Sequence, residues 1–184
     1  IAPLRLQCGS NQTRLPNRRP VANCLPTGAR RIPQHKDETM LILIIGLILF
    51  LGIHSVRVFA PAVRDGQIAS GGVGRWKGIY TIISLIGLVV MILGFGEARL
   101  TAPILYEPPV FLKHINSLLM LLAFIVLMSG YFPSGKIRAA VKHPMVTATK
   151  IWALGHLLAN GDLASVLLFG GFLAWAVLVR ISYK

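Results

Sequence analysis

The sequence predicts an all-α fold, a polytopic integral membrane helical bundle with about five transmembrane helices. Hydrophobic residues make up 54% of the 184 residues and charged residues only 14%. Mean hydropathy is +0.67. Apolar runs near the length needed to cross a bilayer, about 20 residues, alternate with short polar segments. Together these observations predict one membrane domain.

The formal net charge of +13 is compatible with several partners. In this chain the basic residues lie mostly between apolar runs, and they form no stripe interleaved with aromatic residues on a soluble fold. We therefore expect no nucleic-acid partner. The predicted partner is the lipid bilayer, where the basic residues serve as topology signals and as contacts for anionic headgroups.

Two regions differ in composition, and we predict a disordered or spurious N-terminal arm over residues 1–39 and a transmembrane domain over 40–184. The arm holds seven of the nineteen Lys and Arg residues, five of the eleven prolines and both cysteines. It lacks the apolar segment of a secretory signal peptide. The first methionine, Met40, stands directly before the first apolar run, which favours a translation start at that position.

The predicted spans follow from the apolar runs of the domain. They cover residues 40–59, 78–96, 115–132, 144–159 and 163–179. The second, third and fifth runs are uncharged. The fourth is short and contains polar residues, which predicts a short, tilted or partly re-entrant helix that the other helices shelter from lipid.

The charges of the connecting segments predict the orientation. Basic residues are concentrated in the first and third connections and at the C-terminus, whereas the second and fourth connections contain acidic residues that offset their basic ones or stand alone. By the positive-inside rule, the first and third connections and the C-terminus lie in the cytoplasm.

The stretch KHPMVTATKIWALGHLLANGD, residues 142–162, contains two histidines, a lysine and a tryptophan. Its early proline suits a helix start, and Asn-Gly-Asp suits a helix stop followed by the N-cap of the next helix. His143 and Lys150 share one helix face, and Trp152 and His156 share another. Ionisable groups at membrane depth usually face a bundle interior or a site.

Two imidazoles facing inward from different helices are a common way for a helical bundle to hold haem iron. His54 in the first run and His156 in the fourth are candidates, although counting along the helices separates their depths by about 9 Å. Helix tilt would close that gap. His114 with His156 is a competing pair, and hydrogen bonding to a neighbouring helix is the structural alternative for either residue.

The sequence also resembles a known family. The segments GLILFLGIHSVRVFAPAVRD, GRWKGIYTIISLIGLVVMILGFG and KHPMVTATKIWALGHLLANGDLASVLLFGGFLAWAVL resemble the NnrU family of bacterial membrane proteins, over essentially all of residues 40–184. The most specific elements are HPM, KxWAxxH and LLANGD. The family's name comes from an association with nitrite and nitric oxide metabolism, and the family is similar to plant zeta-carotene isomerase, a membrane enzyme that uses haem b.

The resemblance implies a set of site residues. Carried over position by position, the haem b ligands of the isomerase fall on His54 and His156, which makes these the predicted metal ligands. Trp152 would lie against the ring, and Lys150 or Arg57 near the propionates or a substrate. The isomerase has a cysteine directly after the tryptophan, where this chain has Ala153. A ligand switch through that cysteine is therefore absent here.

The resemblance also implies a location and an activity. We expect a multi-pass protein of the bacterial inner membrane with a cytoplasmic C-terminus, whose small-molecule partner is hydrophobic or is nitric oxide. If the protein is an enzyme, which the sequence leaves open, we expect nitric oxide chemistry or cis/trans isomerisation of a lipid-soluble polyene. The alternative is a non-enzymatic accessory or assembly protein without cofactor.

One element points to a different class of enzyme. Lys142-His143-Pro144 is similar to an element of isoprenylcysteine carboxyl methyltransferases that helps to bind S-adenosylmethionine. Those enzymes carry further acidic residues beyond the next membrane hairpin, and no acidic residue follows Asp162 here. We therefore do not expect methyl transfer.

Overall fold

The computed structural model describes residues 6–8, 24–26, 35–132 and 136–183. The chain divides into two units, residues 1–34 and 35–184. In the first unit, strands β1 (Leu6–Cys8) and β2 (Cys24–Pro26) pair antiparallel. The rest of the predicted arm up to residue 34 lies outside the described residues, so its disordered or spurious character stays a prediction.

The second unit is helical, which confirms the predicted all-α membrane fold. Its helices are α1 (His35–Phe59), α2 (Pro61–Thr101), α3 (Val110–Ser129), α4 (Lys136–Val141), α5 (Pro144–Ala159) and α6 (Leu163–Ser182). Within the described ranges, α1, α2, α3 and α6 are long and apolar enough to cross a membrane. With 16 residues, α5 is too short to span alone, and it packs between α3 and α6.

Two helix boundaries differ from the prediction, because the prediction counted only apolar residues. Helix α1 begins before the apolar run, with Asp37 and Glu38 in its first turn, where they complement the helix dipole. The polar connection predicted over residues 60–77 is the first part of α2, opened by Pro61. The backbone leaves helical geometry at Gly72, with φ 76°, so α2 consists of two helices joined at a kink.

Helices α1 and α2 pack against each other at very short range. A Cβ atom built on Gly94 of α2 would lie 2.5 Å from the backbone nitrogen of Leu43 in α1, and Gly46 of α1 approaches Met91 of α2 in the same way. Leu43 is fully buried there. Small residues allow this approach in membrane helix pairs, where packing rather than the hydrophobic effect drives association.

Helix α6 occupies the centre of the bundle, because it contacts α1, α2 and α5. Its buried residues Leu168 and Phe169 join Ala98 and Ala153 in the core. The consecutive helices α2 and α3 do not pack on each other in the part of the chain that the structure describes.

Candidate functional site

A cavity of about 1000 Å³ is bordered by α2, α3, α5 and α6. We call it the His156 cavity. Its wall includes Phe95 and Arg99 from α2, Asn116 from α3, His156 from α5 and Phe169 from α6. Its volume lies at the upper end of the range typical of small-molecule sites, about 300–1000 Å³.

One side of the cavity is the segment between α2 and α3, which is fixed to the turn between α5 and α6. The Leu105 N–H donates to the Gly161 carbonyl at 2.7 Å, and the Leu163 N–H donates to the Pro103 carbonyl at 3.0 Å. A Cβ atom on Gly161 would overlap the Tyr106 carbonyl oxygen. The LLANGD element thus positions this side of the cavity through its backbone.

Side chains reinforce the same contact. The Tyr106 hydroxyl is directed at the carbonyl oxygens of Leu157 and Asn160, 2.8 Å from the latter. Burial, with a smaller contribution from the negative charge of Asp162, raises the pKa of Tyr106. The phenol therefore keeps the proton that it needs as a hydrogen-bond donor.

Charged groups lie at the same rim. The Arg99 Nη2 donates to Asn160 Oδ1 at 3.0 Å, and the Arg99 Nε lies 4.0 Å from Asp162 Oδ2. Asp162 caps α6 by accepting from the backbone nitrogen of Ser165 at 2.9 Å and from its hydroxyl at 2.7 Å. Lys113 also lines the cavity. The rim is polar, while Phe95 and Phe169 make the wall apolar.

The imidazole of His156 lies against aromatic rings. It stacks on Phe169 with centroids 4.4 Å apart and planes 8° apart, and Trp152 meets its edge at 5.4 Å. Neither nitrogen of the ring forms a hydrogen bond with a residue in the described ranges 35–132 and 136–183. The ring is held by packing, and its nitrogens are available to a ligand.

Asn116 is a site residue that the sequence analysis missed. Its Oδ1 is buried and has no hydrogen-bond partner among the described residues. It lies beside Gly155, where a Cβ atom would be only 2.6 Å from that oxygen. A buried polar atom without a partner is costly unless a ligand or water completes it. The signal was present, because an amide inside an otherwise apolar run marks an intramembrane polar position.

His54 lies in a different cavity, of about 350 Å³, lined also by Arg57, Arg64, Trp76 and Tyr80. Its Nδ1 lies 2.7 Å from the carbonyl oxygen of Phe50. Since a carbonyl only accepts, Nδ1 carries the proton and a neutral ring keeps Nε2 as a free acceptor. We call this the His54 cavity.

The structure does not bring the two predicted ligands together. His54 lies beside Trp175 and His156 beside Phe169. These α6 residues are six positions apart, about 9 Å at the usual rise per residue. The rings of Phe50, Phe172 and Trp152 contact one another in sequence across the space between the histidines, with centroids 5.8 and 5.3 Å apart.

The two imidazoles line separate cavities, and their joint ligation of one haem stays a prediction. Of the other predicted site residues, Trp152 lies beside His156. Lys150 is half-buried on α5 and lines neither the His156 cavity nor the His54 cavity. His114 is exposed on α3 and does not line the His156 cavity.

Comparison with known proteins agrees with the resemblance seen in the sequence. The family model described as NnrU protein matches residues 42–184. This range begins within α1 and includes all of the helices from α2 to α6. Neither the curated proteins nor the solved structures gave a match. Because the family model covers most of the chain, including every helix around both cavities, this chain belongs to the NnrU family.

Proposed function

We propose that this NnrU-family membrane protein binds a large, flat, mostly apolar molecule with carboxylate groups in the His156 cavity, and that the molecule is haem b. The observation that carries the proposal is an imidazole with no hydrogen-bond partner among the described residues, on the aromatic wall of a cavity of about 1000 Å³.

The residues of the cavity fit this group by their chemistry. Neutral imidazole nitrogen suits iron, so His156 would hold it. Phe95 and Phe169 offer apolar surface to a porphyrin, and Arg99 and Lys113 offer cations to its carboxylates. When bound, haem supplies an iron atom that binds nitric oxide or exchanges electrons.

The lack of packing between α2 and α3 supports a ligand that arrives from the bilayer. A lipid-soluble polyene or nitric oxide would reach the cavity by that route. Linkage to nitrite and nitric oxide metabolism, or to polyene isomerisation, is therefore part of the proposal. The proposal also includes a location in a bacterial inner membrane. The end of α1, the start of α5 and the end of α6, where basic residues are concentrated, would lie in the cytoplasm.

The test is the absorption spectrum of the detergent-purified chain, oxidised and dithionite-reduced, after expression with ample haem. We expect a Soret band in the parent protein and its loss in His156→Ala. The control is His114→Ala, which removes an exposed imidazole on α3 outside the lining of the cavity and retains the band.

A Soret band that survives His156→Ala would reject the ligand assignment. A parent protein with no band would reject the haem proposal. That result would favour the accessory or assembly protein, in which the stacking of His156 on Phe169 serves packing alone.

A further inference from the structure

A third cavity, also lined by polar residues, lies near the ends of α1 and α6 and the start of α5. It has a volume of about 380 Å³. Four of its lining residues are basic or can become so, namely Arg57, Arg138, Lys142 and His143, and Tyr183 lies among them. We call it the basic cavity.

The charges of the basic cavity are not balanced locally. Among the residues that the structure describes, its lining includes no aspartate or glutamate. Arg57, Arg138 and Lys142 come from α1, α4 and the turn before α5, so the fold itself brings them to one space. None of the three forms a salt bridge within the described ranges. Converging like charges repel one another, and an anion between them would remove that cost.

Local structure fixes the arrangement of these groups. The Lys142 N–H donates to the Arg138 carbonyl at 3.0 Å, which joins the turn to α4. The His143 ring stacks on Tyr183, with centroids 5.1 Å apart and planes 15° apart, which joins the same turn to the end of α6. These two contacts fix the backbone of the turn and the ring of His143.

The backbone adds donors to the same space. His143 stands at the N-cap of α5, but its side chain does not cap the helix. Met145 and Val146, whose N–H groups belong to the first helical turn, line the cavity. First-turn N–H groups are available to an anion, and they supplement the three cations that define the site.

We propose that the basic cavity binds a phosphate group. Guanidinium, ammonium and backbone N–H groups are the usual donors to phosphate oxygens. The cavity lies at the ends of the helices, where we expect lipid headgroups, so an anionic phospholipid is the favoured source and free phosphate the other. This proposal uses none of the residues of the His156 cavity and does not depend on the proposed function.

The test compares full-chain protein in nanodiscs of phosphatidylcholine alone and with phosphatidylglycerol, using native mass spectrometry to count retained phosphatidylglycerol. We expect retention by the parent protein. Arg138→Gln and Lys142→Gln should each weaken it about tenfold, the effect of one charge-assisted hydrogen bond. The matched control is Lys136→Gln, one half-turn away on α4 and outside the cavity lining, which should retain the lipid.

A second arm identifies the source of the phosphate. Inorganic phosphate is added at constant ionic strength to the same samples and to the protein in zwitterionic detergent. Lipid retained against phosphate assigns the site to a headgroup, whereas phosphate-dependent thermal stabilisation that Arg138→Gln abolishes assigns it to free phosphate. Arg138→Lys, which keeps the charge, should restore most of the binding and shows that loss reflects the site rather than misfolding.

The proposal is overturned if neither phosphatidylglycerol nor phosphate binds. It is also overturned if Lys136→Gln lowers retention as much as Arg138→Gln, because binding would then follow net charge and not the cavity.

Discussion

Asn116 is the residue at which stability and function are most clearly opposed. Its Oδ1 is buried without a partner in the described structure, yet it lies on the wall of the His156 cavity. An unsatisfied buried oxygen destabilises the ligand-free protein, and a ligand that donates to it recovers the loss. Such residues are typical of sites that are complete only when occupied.

We expect Asn116→Leu, which removes the polar atoms at similar volume, to raise the free energy of unfolding of the ligand-free protein by about 1–3 kcal/mol. Thermal unfolding in detergent measures the effect.

Ser117→Ala is the control for stability. The Ser117 hydroxyl is exposed and donates to the Lys113 carbonyl at 3.2 Å, so its loss should change the unfolding free energy by less than about 0.5 kcal/mol. A fall in stability for Asn116→Leu would show that Asn116 has a structural partner and would contradict its assignment to the site.

At the scale of elements, helix ends with strong local signals were predictable. The bounds of α5 agree with the prediction at both ends, since Pro144 opens the helix and Asn160 follows its last residue. The first part of α2 was missed because it is polar, and a continuous apolar run, the main sequence signal for a span, is absent there. Its kink at Gly72 depends on one left-handed φ that the sequence does not specify.

The contact between α1 and α2 predicts that two glycine-to-alanine substitutions in α2 change the stability in opposite directions. Gly94→Ala places a methyl group against the Leu43 backbone, and neither backbone can move away without separating the helices. We expect a loss of about 1–3 kcal/mol of stability. Gly96→Ala, two residues later with nothing within 4 Å, should instead gain about 0.5–1 kcal/mol, because alanine favours helix over glycine.

Thermal or denaturant unfolding of the two variants beside the parent protein checks the prediction. Equal effects of the two substitutions would show that α1 and α2 do not approach as closely as the structure has them.

For the whole molecule, the membrane fold was predictable from composition and hydropathy, and the site only in part. The pattern of residues 142–162 correctly placed Trp152 and His156 on one helix face, and the structure brings them into contact. The depth gap between His54 and His156 was also visible from counting, and in the structure the two histidines line different cavities.

Other site residues depend on tertiary structure that the sequence does not encode locally. Arg99 and Asn160 are 61 positions apart in sequence and meet only because the segment after α2 lies on the turn before α6. The basic cavity likewise requires the ends of α1, α4, α5 and α6 to converge. Counting residues along single helices gives depth but not which neighbours share a cavity.

The most direct test of the central claim, that the His156 cavity holds haem through His156 and separately from the His54 cavity, is a haem titration of His156→Ala beside His54→Ala. We predict that His156→Ala weakens binding at least about 100-fold. His54→Ala should bind as the parent protein does, because its imidazole lines a different cavity. Equal loss in both variants, with a six-coordinate low-spin spectrum in the parent, would place both histidines on one iron and contradict the account.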